Sequence, residues 1–369
     1  AAPANLTLQG CLANVGSFDA GEGTVTFLGT GEHDLSGSVA FNNLVLDGGT
    51  LKLAEGAEVT LNASLTQQNG SALDGSAADT TFIAAAGAAQ TLPGMVILND
   101  LQVTAGTELT VPGALTLFGD LDVQGSFDNT GGSTTFSGPE GTIHYLTGNS
   151  PVTFGDLTID PGNTLILPDG KVITVTGNWT NNGDFEAPNG TVIFAGSNNQ
   201  TIGGSSTTTF DTVQVNKPAG SLSADTPVNV TDTLDLLNGS FTPAAGSAFG
   251  NVNITSLGTL DAPAGNLNVA GNWTNLGGFN PDGGTITFNG NGDQRFVGDT
   301  TFDRVAVADG STLVLASNST FGYTDQFTLA PTGNLDAVTN PGTTLVVAGD
   351  GDPIQTLPDG LTLNNLVVA

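Results

Sequence analysis

The sequence predicts an all-β protein, a parallel β-helix with no significant helix, and three observations predict it. Short apolar or alternating runs are punctuated throughout by Gly, Asn, Asp and Pro, as in Thr191-Val192-Ile193-Phe194 and Thr285-Ile286-Thr287-Phe288. No stretch carries a 3.6-residue apolar period long enough for a helix. The same ordered set of motifs also returns about every 56 residues, the mark of a solenoid.

Three motifs define the repeat. The first is Gln/His-x-Leu/Ile/Phe: His33-Asp34-Leu35, Gln90-Thr91-Leu92, His144-Tyr145-Leu146, Gln200-Thr201-Ile202, Gln294-Arg295-Phe296 and Gln355-Thr356-Leu357. The second is an anchor followed by a strand, as in Phe41-Asn42-Asn43-Leu44-Val45-Leu46, Leu98-Asn99-Asp100-Leu101-Gln102-Val103 and Leu363-Asn364-Asn365-Leu366-Val367-Val368. The anchors Phe41, Leu98, Phe154 and Phe210 are spaced by 57, 56 and 56 residues; Phe302 follows after 92 and Leu363 after 61. The third is an apolar alternation leading to Gly and Phe. It matches Leu6-Thr7-Leu8-Gln9-Gly10-Cys11-Leu12 with Leu115-Thr116-Leu117-Phe118-Gly119-Asp120-Leu121, and Gly177-Asn178-Trp179-Thr180-Asn181 with Gly271-Asn272-Trp273-Thr274-Asn275.

These spacings divide one continuous solenoid, residues 1–369, into repeats near 1–58, 59–114, 115–172, 173–228, 266–321 and 322–369, with a partial repeat at 229–265. β-Sandwich modules generally need about 100 residues each, so the period favours two or three stacked coils per repeat. Inward residues are expected to form ladders, and the 19 Phe against 2 Trp and 2 Tyr suit that role. Some 15 to 20 coils rising about 4.8 Å each would give a rod of roughly 70 to 100 Å.

Gly177-Asn178-Trp179-Thr180-Asn181-Asn182-Gly183 and Asn42-Asn43-Leu44-Val45-Leu46 resemble the β-strand repeats of bacterial extracellular surface proteins, both filamentous-haemagglutinin-like and autotransporter-like. The resemblance runs over essentially the whole chain. It implies a β-helix at the cell surface and brings no site signature.

Charge narrows the partners. Against 35 Asp and Glu stand 5 Lys and Arg, a net charge of -30. Nucleic acid and anionic lipid are bound by clustered cations, so both are disfavoured. No apolar run reaches the roughly 18 residues of a membrane span. The start at Ala1-Ala2-Pro3-Ala4 reads as a mature end left by a signal peptidase, which predicts secretion. One cysteine, Cys11, allows no intramolecular disulfide.

Candidate chemistry is sparse. His33 and His144 stand where other copies hold Gln, which predicts a corner side chain bonded to backbone and not an acid–base pair. Lys52, Lys171, Lys217, Arg295 and Arg304 are scattered over different repeats. No catalytic residue is assigned. Asp120 with Asp122, and Asp350 with Asp352, are weak Ca²⁺ candidates because paired carboxylates near turns supply the oxygens that ion prefers; no other cofactor is expected. Asn-x-Ser/Thr triplets at Asn5, Asn62, Asn178, Asn189, Asn229, Asn253, Asn272 and Asn318 leave attached glycans, or a glycan ligand, open.

The functional expectation is an extracellular structural protein, a filament or surface-fibre subunit joining head to tail through uncapped terminal coils. Leu6, Leu8 and Leu12 at one end and Leu363, Leu366, Val367 and Val368 at the other form the expected interface. The alternatives are a non-polymerising adhesin or stalk and, behind it, a polysaccharide-acting β-helix enzyme.

Overall fold

The structure is a computed structural model that describes residues 5–16, 18–85, 87, 89–349 and 357–369. Every regular element among them is a β-strand, and all registered pairings are parallel. The stacked coils form a β-solenoid of about 18 turns among the described residues. They fall into two compact units, Ala1–Gly190 and Thr191–Ala369.

In the first unit each coil supplies short strands to three stacks. One runs Leu6, Val25, Leu44, Leu65. A second runs Phe18, Val39, Val59, Phe82, Leu101, Leu121, and a third Leu51, Leu73, Val96, Leu115, Thr134, Leu157, Trp179. Strand alternation sends these residues inward and their neighbours outward. Phe27, Phe41, Phe82, Phe127, Phe136 and Phe154 are all buried. The rings of Phe27 and Phe41, and those of Phe127, Phe136 and Phe154, meet tilted or edge-on, as in Phe127–Phe154 at 5.7 Å and Phe136–Phe154 at 6.3 Å, the arrangement favoured by the ring quadrupole.

The second unit repeats the scheme with longer strands that run round corners. Thr208–Ala224 and Val228–Thr242 pair along most of their length, with register shifts between Phe210 and Thr212 and around Asn216. Its core column is Val192, Val213, Leu234, Val252, Trp273, Phe296. Trp273 is fully buried, its ring against Phe279, Phe288 and Phe302, and its Nε1 donates to Thr300 Oγ1 at 3.0 Å.

The register corrects one expectation. Successive coils are offset by 18 to 26 residues, as in Leu109–Phe127 and Ala337–Leu363. A repeat of 56 or 57 residues is not a whole number of coils, because the equivalent anchor strands do not share a stack. The anchor strands carrying Leu44, Leu101 and Leu157 lie on three different stacks. Each repeat advances about two and two-thirds coils, so the motif steps from face to face.

Candidate functional site

The Gln/His motif residues sit inside the wall. His33, Gln90, His144, Gln200 and Gln294 are each at most 3% exposed. Gln294 Nε2 donates to the carbonyls of Val269 at 2.9 Å and Gly271 at 2.7 Å, and its Oε1 accepts from Gly290 N at 3.0 Å. Gln90 donates to Leu61 O at 3.0 Å. The histidines take the same place: His33 Nδ1 lies 3.2 Å from Gly10 O, and His144 Nδ1 2.8 Å from Gly119 O. His144 Nε2 adds a contact to Asn163 Oδ1 at 3.0 Å. A corner leaves carbonyls aimed inward without a ladder partner, and these side chains provide the donors. Gln355 lies outside the described residues.

A glycine four residues after each of these positions, unnoticed in the sequence motif, completes the corner. Gly37, Gly94, Gly148, Gly204 and Gly298 all have positive φ, from 76° to 117°. At Gly148 a β-carbon would stand 2.0 Å from Val123 O, so no other residue fits the turn.

Two of the five cations are also structural. Lys217 is 1% exposed and Lys171 6%. Lys217 Nζ donates to Gly196 O at 2.7 Å, Asn198 O at 2.8 Å and Gln200 Oε1 at 2.6 Å. Lys171 Nζ donates to Gly148 O at 2.7 Å and Ser150 O at 2.8 Å. Each ammonium thus spans two carbonyls, two residues apart, in the preceding coil. Burial pushes the Lys217 amine down to about 8 and lowers that of Lys171, with the Asp122 charge opposing the shift at Lys171. Strand parity was the signal: Lys217 alternates in step with inward Val213 and Val215, as Lys171 does with Ile173 and Val175. Lys52 and Arg295 are exposed, and Arg304 pairs with Asp325 at the surface.

The anchor Asp/Asn residues bind the coil that follows. Asp100 Oδ1 accepts from Asp120 N at 2.7 Å, Asp156 Oδ1 from Asn178 N at 2.6 Å, and Asn251 Oδ1 from Asn272 N at 2.9 Å. Burial raises the Asp100 carboxyl above its ordinary value, opposed by that amide bond and reinforced by the Asp120 charge. Asp120 and Asp122 are brought to one face, flanking inward Leu121, and their oxygens are engaged. Asp120 Oδ1 accepts from Tyr145 N at 2.8 Å. Asp122 accepts from Gln102 at 3.1 Å, Gln124 at 2.9 Å and Thr147 at 2.9 Å. Among the described residues no three His, Cys, Asp or Glu groups converge as metal ligands. Asp350 and Asp352 lie outside the described residues.

A groove of about 450 Å³ in the first unit is lined by Ser150, Pro151, Pro168, Asp169, Lys171 and Val172. Its ionic groups are occupied: Lys171 by the two carbonyls, and Asp169 Oδ1 by Asn189 Nδ2 at 2.5 Å.

The terminal strands lack a partner on one side. Leu6 is 36% exposed, Leu366 47%, Val367 46% and Val368 74%, while Leu8, Leu12 and Leu363 are half-buried. Leu6–Leu8 pairs only with Thr24–Leu28, and Asn365–Val368 only with Thr344–Val347, among the described residues. The two ends therefore present open strand edges over apolar side chains.

The class of protein is thus defined by its fold: a parallel β-solenoid whose inward polar groups hold its own backbone. No protein-family model, curated protein or solved structure matched the chain. No helix of the described residues is long and apolar enough to cross a membrane.

Proposed function

We propose that this chain is a structural protein, the subunit of an extracellular filament or surface fibre that adds head to tail through its terminal coils. One observation carries the reading: the apolar ladders are sealed along the units and open where the coils stop. Leu345 is 0% and Val347 8% exposed, yet their partners one coil on, Leu366 and Val368, are 47% and 74% exposed. Open edges over apolar side chains favour strand addition. A heterologous contact of this kind does not close and so propagates as a fibre.

The buried His and Lys groups support the same reading, since they bond backbone where an enzyme would need them facing substrate. A place at the cell surface accords with the resemblance to bacterial surface repeats. A net charge of -30 keeps the flanks of neighbouring fibres apart, leaving the apolar strand edges at the ends as the preferred contact.

Negative-stain electron microscopy of the native protein tests this. Unbranched filaments with a regular axial repeat are expected, and deleting Leu363–Ala369 should abolish them while far-ultraviolet circular dichroism stays strand-like. Discrete particles at high protein concentration would overturn the proposal.

A further inference from the structure

The repeat contains a worked example of the joint. Leu6 to Asp19 correspond, residue for residue, to Leu115 to Asp128, and Leu363 to Val368 correspond to Leu98 to Val103. Inside the first unit these two counterpart segments are stacked on each other. Val96–Leu98 pairs with Ala114–Leu117, setting Leu98 on Leu117. Asp100–Val103 pairs with Leu121–Val123, setting Leu101 on Leu121.

Resting on the end-to-end assembly proposed above, we infer that the partner of the C-terminal coil is the N-terminal coil of a second copy in this register: Leu363 on Leu8 and Leu366 on Leu12. Backbone bonds would follow the internal template. There Phe118 N donates to Leu98 O and Gly119 N to Asn99 O, both at 2.9 Å, and Asp120 N donates to Asp100 Oδ1. Across the joint the donors become Gln9 N, Gly10 N and Cys11 N, and the acceptors Leu363 O, Asn364 O and Asn365 Oδ1.

Burial fits this assignment. The counterparts Leu98, Leu101, Leu117 and Leu121 are all at most 1% exposed, whereas Leu363, Leu366, Leu8 and Leu12 are each partly or largely open in the single chain.

Two glycines supply an independent observation. At Gly119 a β-carbon would meet Asp100 Oδ1 at 2.1 Å, and the same position in other repeats is equally tight: Gly177 against Asp156 Oδ1 at 2.3 Å and Gly271 against Asn251 Oδ1 at 2.6 Å. At Gly125 it would meet Thr104 O at 2.6 Å, at Gly183 Asp160 O at 2.6 Å, and at Gly277 Thr255 O at 2.0 Å, the carbonyl whose counterpart at the joint is that of Ala369. Their N-terminal counterparts, Gly10 and Gly16, have nothing within 4 Å and no positive φ. Nothing within the chain requires glycine there. A preceding coil would, and the register puts Asn365 directly against Gly10.

The corner spacing fixes the frame. Three residues separate Leu98 from Leu101 and four separate Leu117 from Leu121; the joint has the same three against four, from Leu363 to Leu366 and from Leu8 to Leu12. A slip of one residue turns the apolar side chains outward. A slip of two sets Leu366 against Gly10 or Asn14 and loses the second pair.

The test uses the full chain with Cys11→Ser as background. Gly10→Val should leave the melting temperature of the separate subunit within about 1 °C, because the site is open, and should raise the concentration needed for assembly at least tenfold. The double variant Leu8→Cys with Leu363→Cys should give a disulfide-linked ladder of dimers, trimers and higher species, since registered neighbours lie within disulfide reach. Leu6→Cys with Leu363→Cys should not. Filaments that form normally with Gly10→Val, or that cross-link through Leu6 and Leu363, would overturn the register and leave end-to-end assembly standing. A parent chain that forms no filaments would overturn both.

Discussion

Replacing Lys217 by Met tests whether the solenoid wall holds a charged amine at a cost. The ammonium has three acceptors between 2.6 and 2.8 Å, no carboxylate partner among the described residues, and 1% exposure. Burial moves it from an ordinary value of 10.5 to about 8. Between those values the unfolded chain keeps the proton and the folded chain has released it. Stability therefore rises with pH across this window, by about 1.4 kcal/mol per unit and on the order of 3 kcal/mol in all. Below pH 8 both states are protonated and the whole charge-burial cost is present. Met relieves that cost but removes the donor to Gly196 O and Asn198 O, at about 1–3 kcal/mol for each one left buried and unpaired, while Gln200 Oε1 keeps its bond from Gly196 N. The variant should therefore be the less stable protein at pH 7. The gap to the parent should widen by about 2–3 kcal/mol by pH 10, as the parent gains and the variant does not. Urea denaturation followed by circular dichroism at pH 7, 8.5 and 10 measures the gap directly. All other ionising groups are common to both proteins and cancel. A gap that stays constant over this range would refute the argument, because it would mean the amine titrates alike in folded and unfolded chains.

Three further substitutions probe the corners and the core. His144→Gln should hold stability within about 1 kcal/mol, since Gln fills the equivalent site three times among the described residues, whereas His144→Ala should lose about 2–4 kcal/mol by abandoning Gly119 O and Asn163 Oδ1; equal losses in chemical denaturation would break the equivalence. Gly148→Ala should cost more than 3 kcal/mol, because its β-carbon meets Val123 O at 2.0 Å, while Gly141→Ala, with φ +90° and open space, should cost about 1 kcal/mol of backbone strain alone; similar melting points for the two would refute the steric reading. Trp273→Ala should cost about 3–5 kcal/mol, emptying a site packed by Phe279, Phe288 and Phe302, and Trp273→Phe less.

Much of the architecture was legible because a solenoid writes its geometry into a local period. The alternation in Thr191-Val192-Ile193-Phe194 and its relatives gave the inward columns, and the equivalence of His33 and His144 with Gln placed them in corners. The coil count per repeat was not legible, since the period is not a whole number of coils and no sequence position marks where one coil closes. Lys171 and Lys217 escaped for another reason. A lysine is read as exposed by residue type, and only its parity with Ile173 and Val175, or with Val213 and Val215, shows it facing inward. The requirement at Gly10 was hidden as well, for it depends on atoms of a neighbouring coil and not on its own backbone.

The fractional repeat also bears on where function is to be sought. A ligand that spans one face of a solenoid needs like side chains stacked in one column. When each repeat turns the motif onto the next face, a residue fixed in the repeat is distributed round the wall and cannot form such a stripe. The anchor strands at Leu44, Leu101 and Leu157 illustrate this on three stacks of the first unit. The outward column Thr116, Thr135, Thr158, Thr180 is no exception, for it is drawn from unlike positions of the repeat, and the β-propensity of Thr accounts for it. What the repeat does preserve is the relation of one coil to the next: the anchor carboxylate or amide, the glycine beneath it, and the paired leucines. Among the described residues that relation is left open at Leu6–Leu8 and Asn365–Val368, where the proposed assembly is placed, and the effect of Gly10→Val is its most direct measure.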